Sequence, residues 1–313
     1  EADVNSQYWN PAKYPFTIAR AGVGISYTPW LRKLVNDINL ANVAGFYRIG
    51  DYSAVSASLR FFSLGEVFLS DMEDMTINPY EFAIDAGYSR MLSERFSMAV
   101  NMRFIFSDIR YDYTAESSAG KAFAADIAMY RLGYFMMGSR ECSFAWGLNI
   151  NNIGSKISYG GDDNAEFIPT NLRLGLNMTV PFNEYNKFSV AVDANKLLVP
   201  TYPKQDTENG ETDNDYTDRV QKDYCDVWPI AGIFESFYDA PNGFKEEMQE
   251  VRWSVGAEYV YNDKFTVRAG YHHESENKGN RKYFTVGAGF RMSVFSLDAG
   301  YVIATAKSNP LDQ

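Results

Sequence analysis

Few residues in this chain are equipped for covalent chemistry, and their placement works against it. His272 and His273 are the only histidines in 313 residues. They are neighbours in a segment that reads as a strand, where successive side chains point to opposite faces, so they cannot act as a pair. Ser275 close by would be a nucleophile without an arranged base. Cys142 and Cys225 are the two cysteines, able to form one disulfide or to serve as small apolar residues. No Gly-rich phosphate loop and no Cys/His metal cluster is present, so neither cofactor nor metal is expected. A hydrolase is therefore the weakest of the functions considered. The net charge of -11 argues against nucleic acid as a partner, because binding phosphate takes a basic face.

Non-covalent chemistry is better supplied. Arg20, Glu81, Asp85, Arg103, Asp126, Asp193, Glu258, Arg268, His272 and Asp298 fall on faces otherwise made of small and polar residues. Glu258 and Arg268 both stand five positions from Asp263, the centre of the turn Asn262-Asp263-Lys264. That symmetry predicts a directly opposed cross-strand ion pair facing a lumen and helping to keep it closed. A second set is aromatic and apolar. Tyr224, Trp228, Phe234, Phe237 and Tyr238 crowd one long polar insert, and Val67, Phe68 and Leu69 sit in a shorter acidic loop that also holds Met72 and Met75. Apolar clusters in surface loops usually mark a partner surface. The acidic run 206–218 reads as a solvated loop, and "GFKEEMQE" (243–250) as a short helix.

These groups need a frame, and the periodicity supplies it. Phe96, Met98, Val100, Met102, Phe104 and Phe106 alternate with Ser97, Ala99, Asn101, Arg103 and Ser107. Segments starting at Phe82, Trp253, Phe265 and Phe295 repeat the pattern, so each is an amphipathic strand. About thirteen such segments occur, most of them longer than the five or six residues of an ordinary strand and long enough to cross a bilayer with tilt. The apolar face is aromatic and the other face is polar, as expected when one side meets lipid and the other a lumen. No apolar run approaches the length of a membrane helix. The fold class expected is all-β: a transmembrane antiparallel β-barrel of about fourteen strands.

Loop lengths alternate between tight and long. Bacterial barrels keep short turns in the periplasm and long loops outside, which makes the insert at 200–250 extracellular and the N-terminus periplasmic. Cys142, after a tight turn, and Cys225, in the insert, then lie at opposite ends and are expected to be unbridged. Thirteen strands would leave the two ends of the chain on opposite sides. The even-number rule for such barrels therefore predicts a last strand beyond Gln313.

The segment before the first strand is polar, aromatic and broken by proline: "NSQYWNPAKY" (Asn5–Tyr14). Its backbone could not be satisfied in lipid. On this run the chain resembles the FadL-like family, barrels of fourteen strands with an N-terminal hatch. The resemblance makes residues 1–15 a lumenal plug with Asn10, Pro11 and Ala12 as its motif, and 16–313 the barrel. The runs "VDANKLLVPTYP" (Val192–Pro203), "YDAPNGFKEEMQEVRWSVGAEYVY" (Tyr238–Tyr261) and "RAGYHHESENKGNRKYFTVGAGF" (Arg268–Phe290) resemble, within it, the PorV family of the Bacteroidetes type IX secretion system. That likeness implies an outer-membrane, multi-pass, non-enzymatic protein in protein export. It would receive cargo bearing a C-terminal sorting domain from a giant translocon barrel of the SprA/Sov type and deliver it to the surface sortase PorU. The alternative is FadL-like transport of hydrophobic small molecules, which needs an apolar passage.

Overall fold

The computed structural model describes residues 2–30, 37–69, 75–109, 118–160, 165–205, 211–240 and 243–305. The alternating segments form strands β1 (Ala21–Pro29), β2 (Asn39–Ile49), β3 (Ser53–Ser63), β6 (Tyr80–Ser93), β7 (Phe96–Asp108), β8 (Gly120–Met137), β9 (Arg140–Gly154), β10 (Asn171–Pro181), β11 (Asn186–Leu197), β12 (Arg252–Tyr261), β13 (Phe265–His273), β14 (Tyr283–Met292) and β15 (Phe295–Ala304). Between β3 and β6 a small hairpin pairs β4 (Val67–Leu69) with β5 (Met75–Ile77). The other thirteen strands make one sheet, in the order in which they occur along the chain. Every ladder is antiparallel, from β1–β2 to β14–β15. This sheet is the wall of a transmembrane β-barrel.

The burial pattern is the reverse of a soluble protein's. On β7 the residues shielded from solvent are Ser97, Ala99, Asn101, Arg103 and Ser107, while Val100 and Met102 stand exposed. On β6, Asp85 and Ser89 are buried, and Ile84 and Tyr88 are not. Water would penalise such a surface by roughly 25 cal/mol for each Å² of apolar area left uncovered. A hydrocarbon surround removes that penalty, so the inversion is the physical mark of a wall with lipid outside and polar groups inside.

Five tight turns and the β14–β15 turn lie at one end of the wall, and the long connections lie at the other. The left-handed residues Gly50, Gly138, Asn262 and Asp263 all serve the tight turns. Asn and Asp tolerate this conformation better than other residues bearing a Cβ. The described residues of the longest connection, between β11 and β12, include three α-helices: α2 (Asp213–Val220), α3 (Pro229–Glu235) and α4 (Phe244–Glu250). Helix α4 forms where "GFKEEMQE" was expected to be helical. The acidic run departs from expectation. Its described part is α2, with Thr212 accepting the Asp215 N–H and Asp213 and Asp215 in the first turn. Carboxylates there favour the helix through its dipole, so acidity marked a helix start and not a solvated loop. Cys142 and Cys225 are both free thiols.

Candidate functional site

Two regions gather the side chains singled out above: the lumen, filled from the N-terminus, and the helical insert over the long-loop end.

The N-terminal segment folds inward as α1 (Ser6–Trp9) and a 3₁₀ turn over Pro11–Phe16. The turn lies against β2, β3, β6, β7 and β8. Each residue of Asn10-Pro11-Ala12 has a separate task. The Asn10 side chain accepts the Ala12 N–H at 3.0 Å, closing the start of the turn, and Pro11 supplies a φ suited to its first position. The same amide donates to the Met129 carbonyl at 2.9 Å and the Leu148 carbonyl at 3.3 Å, tying the turn to β8 and β9. Ala12 is fully buried among Ala99, Ala128 and Ala145, and its carbonyl accepts from Ser97 Oγ. A larger side chain would have no room there. Tyr14 stacks on Phe46 with ring centroids 4.9 Å apart, and its hydroxyl donates to the Val4 carbonyl at 2.9 Å. Gly147 leaves the space that Asn10 Nδ2 occupies, since a Cβ there would approach it to 2.8 Å.

Deeper in, a polar network joins plug and wall. Gln7 Nε2 donates to Asn101 Oδ1 at 2.8 Å, and Asn101 Nδ2 donates to Asp85 at 2.9 Å and Asp126 at 3.0 Å. Arg103 spans the same two carboxylates, at 2.6 Å from Asp85 and 2.9 Å from Asp126, and also donates to Asn152 Oδ1. Asp85, Asp126 and Asn101 are at most 1% exposed and Arg103 is 6% exposed. Buried charges persist only when paired and fully hydrogen-bonded, as here. Further toward the long loops a second chain of bonds runs from the Tyr159 hydroxyl to Ser107 Oγ and from Ser107 Oγ to Glu81. The sequence placed Asp85, Arg103 and Asp126 on the inner face but gave no partner for any of them.

Glu258 and Arg268 are opposed in register, with Arg268 Nε 2.6 Å from Glu258 Oε2. Arg268 also reaches across β14 to Asp298 at 2.7 Å. Gly289 makes this possible, because a Cβ there would collide with the Asp298 carboxylate. Their surroundings differ from the expectation of a sealed interior. Arg268 is 44% exposed and Glu258 28%, and no residue of β12–β15 is buried. The pair stands on a part of the wall that no described residue covers. Arg20 also departs from the expected inner face: its guanidinium stacks over Tyr47, 5.5 Å from the ring centre. His272 bonds Ser254 Oγ through Nδ1 at 2.9 Å and stacks on Tyr283, whereas His273 stacks on Trp253, so the two histidines serve opposite faces.

The insert is pinned to the barrel by three lysines. Lys156 Nζ donates to the Tyr224 and Cys225 carbonyls at 2.9 and 2.6 Å, at the C-terminal end of a π-helical turn (Gln221–Cys225). It also sits 4.0 Å above the Phe167 ring. Burial among these groups pushes the Lys156 amine below its ordinary pKa, against the pull of Cys225, Asp226 and Glu166. Lys196 bridges Glu247 and Glu250 of α4 at 2.8 and 2.6 Å. Lys278, from the β13–β14 loop, binds Glu246 and Glu250 at 2.8 and 2.9 Å.

On this platform the aromatic residues divide. Tyr224 is buried, edge-on to Phe167 and Tyr202 at 5.1 and 4.9 Å. It is a packing residue, which removes it from the partner-facing set named from sequence: a ring in a polar insert can as well anchor the insert as face solvent. Trp228, Phe234, Phe237 and Tyr238 are exposed, Tyr238 at 73%, and Ile230, Phe244 and Met248 join them. In the β4–β5 hairpin Val67 and Phe68 are exposed. The side chains of Leu69 and Met75, and Met72 altogether, lie outside the described residues.

A profile of the family described as type IX secretion system protein PorV matches residues 1–204. No curated protein matches the chain. Among solved structures, a FadL homologue of Pseudomonas aeruginosa aligns at 11% identity over 96% of this chain and 85% of its own, with a TM-score of 0.41. Two crystal structures of the toluene transporter TodX of Pseudomonas putida align at 10% identity. They cover 92% and 96% of this chain and 84% and 87% of theirs, with TM-scores of 0.45 and 0.48.

Proposed function

This chain belongs to the PorV family of type IX secretion system proteins, and from that premise we propose that it is a non-catalytic docking barrel that holds secreted cargo at the outer membrane. It is an outer-membrane β-barrel protein, with its long-loop end outside. The observation that carries the reading is the exposed set Trp228, Phe234, Phe237 and Tyr238 on an insert fixed to the rim by Lys156, Lys196 and Lys278. Exposed aromatics on a rigid base bind with little entropy left to lose. With Val67 and Phe68 of the β4–β5 hairpin they form the surface that takes the C-terminal sorting domain. The translocon barrel supplies this cargo and the sortase PorU receives it.

Two features support docking over transport of hydrophobic solutes. The inner face carries Asp85, Arg103, Asp126, Asn101 and Gln7 in place of an apolar passage, and the plug is bonded to it. Catalysis has little support as well: among the described residues no carboxylate bonds the second nitrogen of His272, so its contact with Ser254 lacks the orienting acid that a triad needs. The test is capture of a purified sorting domain by the detergent-solubilised barrel. The triple variant Trp228→Ser, Phe234→Ser, Tyr238→Ser should lose capture while keeping the heat-modifiable gel mobility of a folded barrel. Undiminished capture by that variant would remove the insert from the docking surface.

A further inference from the structure

The outer face of the wall carries a second candidate site, far from the insert, at the tight-turn end of β8. Strand β7 begins at Phe96, which pairs with Arg131. Beyond that point β8 continues from Leu132 to Met137 paired with β9 alone. Its last link to the β6–β7 turn is the Leu132 N–H bonding the Arg95 carbonyl at 2.9 Å. The result is a notch between the β8–β9 hairpin and that turn. Arg131 belongs to the lipid-facing row, since its paired neighbours Phe96 and Trp146 meet there with ring centroids 6.1 Å apart. On its hairpin side a hollow of about 320 Å³ opens over Gly133, walled by Phe135, Phe144 and Trp146. That is the lower bound of a small-molecule pocket. On the turn side Arg131 shares a second hollow with Arg95, Ser93 and Glu94.

Two arginines and one carboxylate therefore line this hollow beside the lipid-facing row, in a chain whose net charge is -11. Among the described residues neither guanidinium is hydrogen-bonded or ion-paired. An arginine on the lipid side of a barrel is unfavourable unless its charge is matched, and its long stem lets it reach toward the headgroups. Guanidinium matches phosphate by paired N–H donors. Trp146 and Tyr134, which also line the first hollow, belong to the residue types that favour the membrane interface.

We propose that this notch binds a glycerophospholipid of the periplasmic leaflet, its phosphate between Arg95 and Arg131 and the adjoining apolar part of the molecule over Gly133. The leaflet follows from the topology rule that puts tight turns in the periplasm. Native mass spectrometry of the full chain, purified from membranes in gentle detergent, tests it. The wild-type protein should carry one phospholipid. The variant Arg95→Gln/Arg131→Gln should lower that occupancy about tenfold, the size expected when a charge-assisted contact is lost. Gly133→Phe, which fills the hollow and leaves both arginines, should lower it as well. Heat-modifiable gel mobility confirms that each variant is folded. A wild-type protein without phospholipid, lipopolysaccharide in its place, or equal retention in both variants would each overturn the proposal.

Discussion

The two halves of the wall carry similar charge networks in opposite settings. Around β6–β9, Arg103 lies between Asp85 and Asp126 with at most 6% of any of the three exposed. Around β12–β15, Arg268 lies between Glu258 and Asp298, and all three remain open to solvent. Chemistry and distances are nearly the same, so what differs is the cover. The N-terminal segment lies over the first network, adds Gln7 to it through Asn101, and is held to the wall beside it by Asn10 and the Ala12 carbonyl. The burial of an ion pair on this wall therefore follows the segment that covers it, and a covered pair answers to a lower dielectric.

The largest expected contrast comes from deleting each central arginine. Arg103→Ala strands two buried carboxylates and should destabilise the barrel by about 3–5 kcal/mol. Arg268→Ala should change stability by about 1 kcal/mol or less, because its partners stay hydrated. Urea unfolding in detergent, followed by tryptophan fluorescence, measures both, and equal losses would end the comparison.

The next contrast concerns the cover. Asn101→Leu removes the amide that receives Gln7 and leaves polar partners buried, at about 1–3 kcal/mol. A Ser6→Cys reporter, close to serine in size and 1% exposed in the native packing, in a chain whose Cys142 and Cys225 are replaced by Ala, should then react with maleimide much faster than when Asn101 is kept. No gain in reactivity would mean that the plug is held without this bond.

A smaller contrast lies in two glycines. A Cβ at Gly87 would meet Ser56 Oγ at 2.7 Å and Asn101 Oδ1 at 3.2 Å, in the covered half. Gly87→Ala should therefore destabilise by about 1–3 kcal/mol through overpacking. At Gly289 the obstacle is the half-exposed Asp298 carboxylate, which can swing into water. Gly289→Ala should break the Arg268–Asp298 contact with little loss of stability.

The smallest effect is expected in the β13–β14 loop. Burial alone would raise the pKa of Glu274, but the Arg281 guanidinium, bonded at 2.7 and 2.8 Å, and the Arg281 N–H outweigh it and hold the carboxyl below its ordinary value. A depressed carboxylate contributes its stability above the unfolded pKa and loses it as pH falls through the folded one. Hydrogen exchange of 274–282 should therefore speed up on acidification below about pH 4, and Arg281→Gln should abolish that dependence.

How much of this was legible depended on the distance of the partner along the chain. The Glu258–Arg268 pair could be counted from sequence because the turn at Asp263 is regular and its register runs back without a break. The pairing of Asp85 with Arg103 could not. A bulge between Met91 and Ser93 shifts the β6–β7 register by one residue, and counting back from the turn would have set Asp85 against Phe104, on the other face. Asp126 lies across the long β7–β8 connection, where no count is possible. Tyr224 and Trp228 shared one description, aromatic in a polar insert, and only packing on Phe167 and Tyr202 separates them.

The sequence alone determined what repeats locally: strand lengths, the two faces of each strand, the alternation of tight and long connections, and so the barrel. Period-two alternation is a property of a few consecutive residues and needs no partner. The tertiary structure decided which half of the wall is covered, which carboxylates share Arg103, and which aromatics face outward. Those outcomes come from contacts between residues far apart in the chain, such as Asn10 with Leu148 and Lys156 with Tyr224. Their energies depend on shape and on exclusion of water, neither of which a linear pattern encodes.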